Sequence, residues 1–260
     1  MNPAVLDSNS SDKKIAVWKN ITNEVLSKML PVGASFLTDV IFSFVPNQRE
    51  DRIADFLKEL SAQFNKYQEK VNKLEEWVNF VKENNGQLHL LELGFQFAVE
   101  TDSNFLHHCY AYYIFNNINN KSIDDIQREK ILKVIADLNE YEIIHLLNYL
   151  YPSFIGNASE FFKKFENILM PHTRNIGAPV EDREFNAFYD YYKVSLEQKG
   201  LIIGKPVVKN GNIDFDKKKY SITPFGRIVA EAINDEEFFT KNNLEYRWLF
   251  HKKQFKYFAK

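Results

Sequence analysis

Apolar residues recur every three or four positions along most of this chain, which is the spacing of one face of an α-helix. In residues 13–29 this spacing is followed by Trp18, Ile21, Val25 and Met29. Gly and Pro are sparse, with 9 and 8 copies in 260 residues, and this also favours helices over a turn-rich β architecture. We therefore expect a mainly α protein in which several helices form a bundle.

The most regular pattern predicts one long helix with a heptad repeat. From Ile53 to Val81 the apolar positions alternate in steps of four and three. The residues of this seam include Leu57, Leu60, Phe64, Tyr67, Val71, Leu74 and Val78. Phe56 and Trp77 widen the stripe, which suits packing against more than one neighbour. We prefer a core role within one chain, because aromatic seam residues fit poorly in a tight two-stranded coil, and a homodimer through this seam is the alternative.

Shorter helices follow the heptad segment. "LHLLELGFQFAVE" is apolar all round, which indicates burial on several sides. Ser122 with Asp125, and Asn139 with Glu142, have the spacing of capping boxes that begin helices. Helices joined by such short connectors pack as antiparallel neighbours. We expect a disordered N-terminus at residues 1–12, followed by a helical bundle over residues 13–170.

A change of character after the bundle indicates a second module. The loop "PHTRNIGAPV", with two prolines and a glycine, marks the predicted boundary. A helix over residues 181–199 then precedes "LIIGKPVV", the turn "KNGN" and "IDFDKKKYSIT", which predict a β-hairpin. Thr223 and Pro224 begin a further helix. The order of these elements is that of a winged-helix domain, so residues 171–239 are predicted to form a winged-helix-like module.

The helix after the hairpin has a predicted buried face and a predicted close contact. The buried face consists of Phe225, Ile228, Val229, Ala232 and Ile233. Gly226, in the first turn, is expected to let the helix approach the hairpin closely. Residues 240–260 then form a basic and aromatic C-terminal extension.

Charge argues against nucleic acid as the main partner of this module. A DNA-reading winged helix inserts the helix before the hairpin into the major groove. Here residues 181–199 carry a net charge of about −2, which repels phosphates. The aromatic residues of this helix, in "FYDYYKV", are expected in the core or in a protein contact. The candidate nucleic-acid or anion contacts are Lys205, Lys209, Lys217, Lys218, Lys219, Arg247, Lys252 and Lys253. We prefer to interpret the hairpin lysines as protection of strand edges, and the extension as docked on the bundle through its aromatic residues.

Membrane insertion is also disfavoured by the pattern. Residues 31–46 are almost wholly apolar, but a helix of this length reaches only about 24 Å, whereas a bilayer core is about 30 Å thick. Asp39 lies in the middle of the segment, so burial inside the bundle is the preferred interpretation. The N-terminus has no secretory signal pattern, and the single Cys109 cannot form an internal disulfide. These features favour a cytoplasmic protein.

Patterns typical of catalysis or metal binding are missing from the sequence. None of the six histidines has the spacing of a known metal motif. His107, His108 and Cys109 are adjacent, but neighbours on a helix point about 100° apart. We find no Gly-rich phosphate loop and no nucleophilic serine motif, so we expect no catalytic residues, no metal and no cofactor.

Three stretches carry a resemblance to a bacterial family. They are "LLELGFQFAVETDSNFLHHCYAYYIFNNIN", "ILKVIADLNEYEIIHLLNYL" and "GLIIG…YSITPFGRIVAEAI", within residues 47–234. They resemble helical proteins of the abortive-infection alpha type. The shared positions are Leu138, Asn139, Glu142 and Ile143, and Thr223, Pro224, Gly226 and Arg227. The resemblance brings no catalytic residues, and it implies a role in the bacterial response to phage through interaction.

Together these features predict a non-enzymatic helical sensor or adaptor that acts through protein–protein contacts, in phage defence. One alternative is a winged-helix DNA-binding regulator that uses the basic hairpin and the C-terminal extension. A further alternative is a membrane-perturbing effector that uses residues 31–46.

Overall fold

The computed structural model of the protein describes residues 50–66, 81, 83–117, 122–151, 160–209 and 212–241. In chain order its elements are α1 (Glu50–Lys66), α2 (Asn85–Glu100), α3 (Asn104–Asn117), α4 (Asp125–Ala136), α5 (Glu140–Leu147), α6 (Glu160–Lys164), α7 (Glu166–Leu169), α8 (Val180–Gln198), β1 (Ile202–Lys209), β2 (Asn212–Ile222), α9 (Pro224–Ile233) and a π-helical turn (Glu237–Lys241). This part of the chain is mainly α with one antiparallel hairpin, which confirms the predicted fold class at that level.

Polar side chains begin the helices, with one shift from the prediction. Asn139 Oδ1 accepts from the Glu142 N–H at 3.0 Å, and Glu142 Oε2 accepts from the Asn139 N–H at 2.9 Å, which confirms this capping box. The box predicted at Ser122 is wrong. The cap is Asp124, whose Oδ1 accepts from the Gln127 N–H at 2.7 Å. Aspartate caps as well as serine does, and the long Gln127 side chain reaches back to the Asp124 N–H.

The core of the bundle is centred on α3. This helix packs against α1, α2, α4 and α9, and it is buried on nearly every side. The buried Tyr113 keeps a hydrogen bond, because its hydroxyl donates to the Arg128 carbonyl at 2.8 Å. A helix surrounded in this way needs apolar residues all round, which explains why α3 lacks an amphipathic pattern.

The described elements share one hydrophobic core. The cluster of buried apolar residues includes Leu57 and Leu147 of the helical bundle, and also Leu196, Leu201 and Val229 of the proposed second module. α8 packs on α5 and β1, while α9 packs on α3, α4 and α5. The predicted domain limits therefore stay predictions, because contacts between helices cross the predicted boundary.

The heptad helix is described over its first part only. Leu57 and Leu60 are buried, with 2% and 0% of their surface exposed, and α1 packs against α2 and α3 of the same chain. This location matches the preferred core interpretation for these two residues. Ile53 and Val81, at the two ends of the pattern, are also buried. Tyr67, Val71, Leu74 and Val78 lie outside the described residues and Phe64 has no described side chain, so a seam along the full repeat stays a prediction.

The hairpin and the helices around it follow the predicted order. β1 pairs with β2 in antiparallel register, with an irregularity between Pro206 and Val207. Gly200 has a positive φ of 71° directly after α8, a conformation that glycine adopts without strain. Thr223 Oγ1 accepts from the Gly226 N–H at 2.9 Å and so caps α9 as predicted. The order of the elements alone does not establish a winged-helix fold, so the winged-helix-like module stays a prediction.

The buried face of α9 differs in part from the prediction. Val229 and Ile233 are buried as expected, but the helix also buries Gly226 and Ala230. Ile228 is wrong as a core residue, because 49% of its surface is exposed. The apolar pattern of α9 is wider than the surface that its neighbours cover, and only packing decides which edge of the stripe is covered.

No helix among the described residues is both long and apolar enough to cross a membrane. The helix predicted at residues 13–29 and the apolar segment 31–46 lie outside the described residues, and so do residues 1–12 and most of the C-terminal extension.

Candidate functional site

The helix α8 has an inner face that is fixed to the bundle. Asn186 and Leu196 are buried on this face, whereas Ser195 is buried near the C-terminal end of the helix on the side of Tyr191. Asn186 Nδ2 donates to the carbonyl of His172 at 3.2 Å, which ties the helix to the loop before it. Leu196 is fully buried. These contacts fix the rotation of α8, and so they determine which of its side chains face outward.

A buried carboxylate joins α8 to α5. Glu142 is 2% exposed, and its Oε1 lies 3.2 Å from Lys199 Nζ, just beyond the end of α8. The Ser195 hydroxyl donates to the same carboxylate, and the second oxygen caps α5 by accepting from Asn139. Every hydrogen bond removes part of the cost of burying the charge. Glu142 therefore combines a local role in α5 with a tertiary contact to α8.

Aromatic rings fill the contact between α5 and α8. Tyr141 and Tyr192 stack with centroids 5.4 Å apart and planes 3° apart. His145 meets Tyr189 edge to face at 5.1 Å. Burial and, secondarily, the nearby Lys193 lower the pKa of His145 to about 4, so its imidazole is neutral near pH 7. This layer is a packed interface in which His145 is buried and the three tyrosines are half-buried.

The outer face of α8 is apolar and exposed. We define it by Val180, Ala187, Phe188, Tyr191 and Val194. The exposed fractions are 53% for Val180, 48% for Phe188, 60% for Tyr191 and 42% for Val194. All five residues except Phe188 lie along one line of the helix, and Phe188 lies beside it. Glu184 lies on the same line between Val180 and Ala187, so the apolar part of the stripe runs from Ala187 to Val194. An exposed apolar stripe of this kind is typical of a surface that binds another protein.

The charges bordering the outer face are mostly acidic. Asp190 forms two hydrogen bonds with Arg174, both at 3.0 Å. Glu181 and Glu184 are exposed, and neither forms an ion pair with a cation in the part of the chain that the structure describes. The N-terminal end of the outer face thus has an acidic border, where the exposed Glu181 and Glu184 outnumber the exposed Arg183.

The predicted anion-binding lysines are only partly assembled. Lys205 lies opposite Lys219 across the hairpin, and both side chains are exposed. Lys218 Nζ donates to Glu197 Oε2 at 2.9 Å, so its charge is neutralised within the protein. The structure does not describe the side chains of Lys209 and Lys217. Arg247, Lys252 and Lys253 lie outside the described residues.

A buried histidine of α3 lies between two carboxylates. His108 Nδ1 is 3.0 Å from Glu59 Oε2, and its Nε2 is 3.2 Å from Asp235 Oδ2. The second contact is close enough for an ion pair, but its angle does not make a hydrogen bond. Phe238 stacks on the ring with centroids 3.4 Å apart. Because Phe238 covers the ring, this cluster fastens the π-helical turn to α3 and leaves no room for a substrate.

The adjacent His107 and Cys109 do not share a site with His108. His107 Nε2 lies 2.9 Å from the Ala98 carbonyl, and Cys109 is fully buried. Among the described residues there is no group of His, Cys, Asp or Glu side chains that could hold a metal ion. The three neighbours therefore contact different parts of the core, as adjacent residues of a helix do.

An open cleft of about 570 Å³ lies along α4 and the end of α8. Its charged lining is largely paired internally, since Lys133 pairs with Glu129 and Lys199 pairs with Glu142. Ile126, at its edge, is 79% exposed. The cleft offers few polar groups to a small ligand, and so the outer face of α8 is the stronger candidate for a binding site.

No protein-family model matches this chain, and neither a curated protein nor a solved structure is significantly similar to it. The resemblance to abortive-infection proteins thus remains a prediction based on the quoted motifs.

Proposed function

We propose that the protein is a non-enzymatic helical adaptor that binds another protein through the outer face of α8. The observation that carries this proposal is the exposed stripe of Phe188, Tyr191 and Val194 on a helix whose opposite side is fixed to the core. Aromatic residues on a rigid element are typical anchors of protein interfaces. Because the inner face is already buried, binding at the outer face requires no rearrangement of the bundle.

The partner of this surface is a protein rather than a nucleic acid. The outer face presents apolar side chains, and its N-terminal border carries the exposed Glu181 and Glu184. Phosphates would meet like charge at this border. An apolar centre with a charged rim is instead the usual composition of protein–protein interfaces.

The biological setting that we propose is the bacterial response to phage. This part of the proposal rests on the motifs at Asn139 and Glu142, and at Thr223, Pro224 and Gly226, which resemble the abortive-infection alpha family. In the same proposal, α8, the hairpin and α9 act as a winged-helix-like module whose leading helix contacts protein in place of DNA.

A quantitative capture experiment tests the adaptor function. The full chain, its Tyr191→Glu variant and its Ile126→Glu variant would be immobilised and exposed to lysate of the source cells, with retained proteins measured by mass spectrometry. Both substitutions place a charge at an exposed apolar position, so neither should unfold the protein. We expect a partner retained by the wild type and by Ile126→Glu but lost with Tyr191→Glu.

The proposal fails under either of two results. One is a set of retained proteins that Tyr191→Glu leaves unchanged, and the other is an equal loss with Ile126→Glu. A separate assay asks whether the purified chain turns over nucleotide or cleaves nucleic acid at a rate proportional to the concentration of the protein. Such a result would overturn the proposal that the protein is not an enzyme.

The pairing of Lys205 with Lys219 supports a second candidate function, which is nucleic-acid binding by the hairpin. Like charges directly opposite each other destabilise a strand pair, and a phosphate between them would relieve the repulsion. Binding to duplex DNA of mixed sequence would be measured by fluorescence polarisation at several salt concentrations, for the wild type and for Lys205→Glu/Lys219→Glu. This candidate requires an affinity that falls steeply with salt and is lost in the variant, and a flat salt response would remove it.

A further inference from the structure

We propose that residues 242–260 of the C-terminal extension occupy the outer face of α8 until a protein partner displaces them. This inference rests on the proposed function, because it assigns a regulator to the same surface. The extension would lower the affinity of the adaptor for other proteins by competing for the apolar stripe.

The first argument is the chemical match between the two surfaces. The outer face of α8 exposes Phe188, Tyr191 and Val194 to water. The extension is rich in large apolar side chains, namely Leu244, Tyr246, Trp248, Leu249, Phe250, Phe255, Tyr257 and Phe258. Burying two apolar surfaces against each other stabilises both, by roughly 25 cal/mol for each Å² removed from water.

The second argument is charge. The extension beyond Lys241 contains five basic residues, Arg247, Lys252, Lys253, Lys256 and Lys260, and a single acidic residue, Glu245. The border of the outer face carries Glu181 and Glu184, which are not neutralised by any cation of the described chain. Opposite charges at the rim of an apolar contact select the partner and its register. Within the chain, residues 1–49 carry nearly balanced charge and residues 67–80 a small excess of acid, so neither matches this border as well.

The third argument is where the described chain ends. The π-helical turn is fixed to the bundle, because Phe238 stacks on His108 and Lys164 Nζ donates to the Phe238 carbonyl at 3.2 Å. The extension therefore starts from a fixed point on the same body as α8. At roughly 3.3 Å per residue, residues 242–260 span up to about 60 Å when extended, which exceeds the reach needed within a protein of this size. Such tethering also raises the effective concentration of the extension at α8.

Photo-crosslinking in the full chain tests the contact directly. Tyr191 would be replaced by p-benzoylphenylalanine, which keeps an aromatic ring at this position. The same replacement at Ile126, which is exposed on α4, provides the matched control. After irradiation, the monomeric product would be isolated by gel electrophoresis, digested and mapped by mass spectrometry.

We expect crosslinks from position 191 to peptides of residues 242–260, with no comparable yield from position 126. The charge reversal Lys252→Glu/Lys253→Glu should lower the yield from position 191 by roughly fivefold, since two favourable ion pairs become repulsive. Crosslinks that lead elsewhere in the chain, crosslinks found only between two chains, or a yield unaffected by the charge reversal would each overturn the inference.

The capture experiment separates this inference from the proposed function. If the extension regulates the adaptor, Lys252→Glu/Lys253→Glu should increase the retained partner several-fold while Tyr191→Glu abolishes it. Crosslinks to the extension without any partner sensitive to Tyr191→Glu would refute the adaptor function and leave the internal contact in place. A partner lost with Tyr191→Glu, together with no crosslink from position 191 to the extension, would refute only the regulation.

Discussion

Gly226 lies directly against the backbone of Leu201, so closely that a side chain at position 226 would be 2.9 Å from the Leu201 Cα and closer still to its carbonyl group. The contact brings the first turn of α9 onto the start of β1. The adjacent cap strengthens the same contact, because Thr223 Oγ1 donates to the Gly200 carbonyl at 2.8 Å. The junction of α8, the hairpin and α9 thus depends on a missing side chain.

Replacing Gly226 by alanine should therefore destabilise the protein strongly. The added methyl group would meet backbone atoms, which cannot move aside without shifting α9, and we expect a loss of about 2–4 kcal/mol in the free energy of unfolding. Urea denaturation followed by circular dichroism measures this loss. Gly204→Ala is the control, since the added methyl group there meets the flexible ends of Lys218 and Glu197 and the ring of Tyr220. Equal losses in both variants would contradict the assigned backbone contact.

The Glu142–Lys199 pair should be worth more than an exposed pair of the same kind. Glu142→Gln removes a buried charge that three groups contact, and we expect a loss of about 1–3 kcal/mol in the free energy of unfolding, because Lys199 keeps its contact with Asp137. Glu129→Gln, which breaks the helical pair with Lys133, should cost at most about 0.5 kcal/mol. A double-mutant cycle with Lys199→Met isolates the coupling energy, and a coupling near zero would mean that Glu142 acts through its cap alone.

Stability should fall in weak acid because of His145. Burial lowers the pKa of this imidazole to about 4 in the folded protein, whereas an imidazole in the unfolded chain titrates near about 6.5. Between these values the unfolded chain binds the proton and the folded protein does not. The contribution of His145 is therefore fully present above about pH 6.5 and is lost as the pH falls to about 4, by about 3 kcal/mol in total.

His145→Phe is the variant that tests this pH dependence. Nε2 of His145 has no hydrogen-bond partner, so a ring of similar shape should be tolerated next to Tyr189. We expect the free energy of unfolding to decline less between pH 6.5 and 4 in the variant than in the wild type. Curves of equal slope from urea denaturation at each pH would show that His145 does not contribute.

The thiol of Cys109 should report the opening of the core. Cys109 is fully buried, and burial, followed by the nearby Glu140, raises the pKa of its thiol. Both effects withhold the reactive thiolate from reagents. In native buffer we expect its reaction with a colorimetric disulfide reagent to be roughly a thousandfold or more slower than in denaturant, because access requires unfolding of the central helix α3. A native rate close to that of the unfolded chain would show that the bundle is open around Cys109.

Local features of the fold could be predicted well from the sequence. The capping box at Asn139 and Glu142, the helix start at Thr223 and the close approach of Gly226 all appear where they were expected. The two caps depend on hydrogen bonds within about four residues, so the information for them lies in the local sequence. The approach of Gly226 to the distant Leu201 was expected because a glycine in the first turn of a helix permits close contact with a neighbouring element. The cap of α4 was predicted at Ser122, two residues before the observed cap Asp124, because several polar residues in that stretch can serve as caps.

The sequence predicted the type of residue at the candidate site, but not which of these residues are exposed. The aromatic residues of α8 were expected in the core or in a protein contact, and the sequence did not separate the two roles. Tyr189 and Tyr192 pack on His145, whereas Tyr191, their neighbour, is 60% exposed. The signal that distinguishes them is the helical position of Asn186 and Leu196, which lie on the side of Tyr189 and Tyr192, but a polar residue such as Asn186 gives no sign in the sequence that it is buried.

The sequence by itself determined where helices and strands begin and which residues are apolar, because helix periodicity, caps and turns are set by neighbours along the chain. Only the tertiary structure decided which apolar residues are covered, so that Val229 is buried while Ile228 is exposed. It also brought Glu142 to Lys199 across 57 positions. Burial and pairing of this kind depend on surfaces contributed by distant segments, and the free energy that selects among them belongs to the packed bundle as a whole.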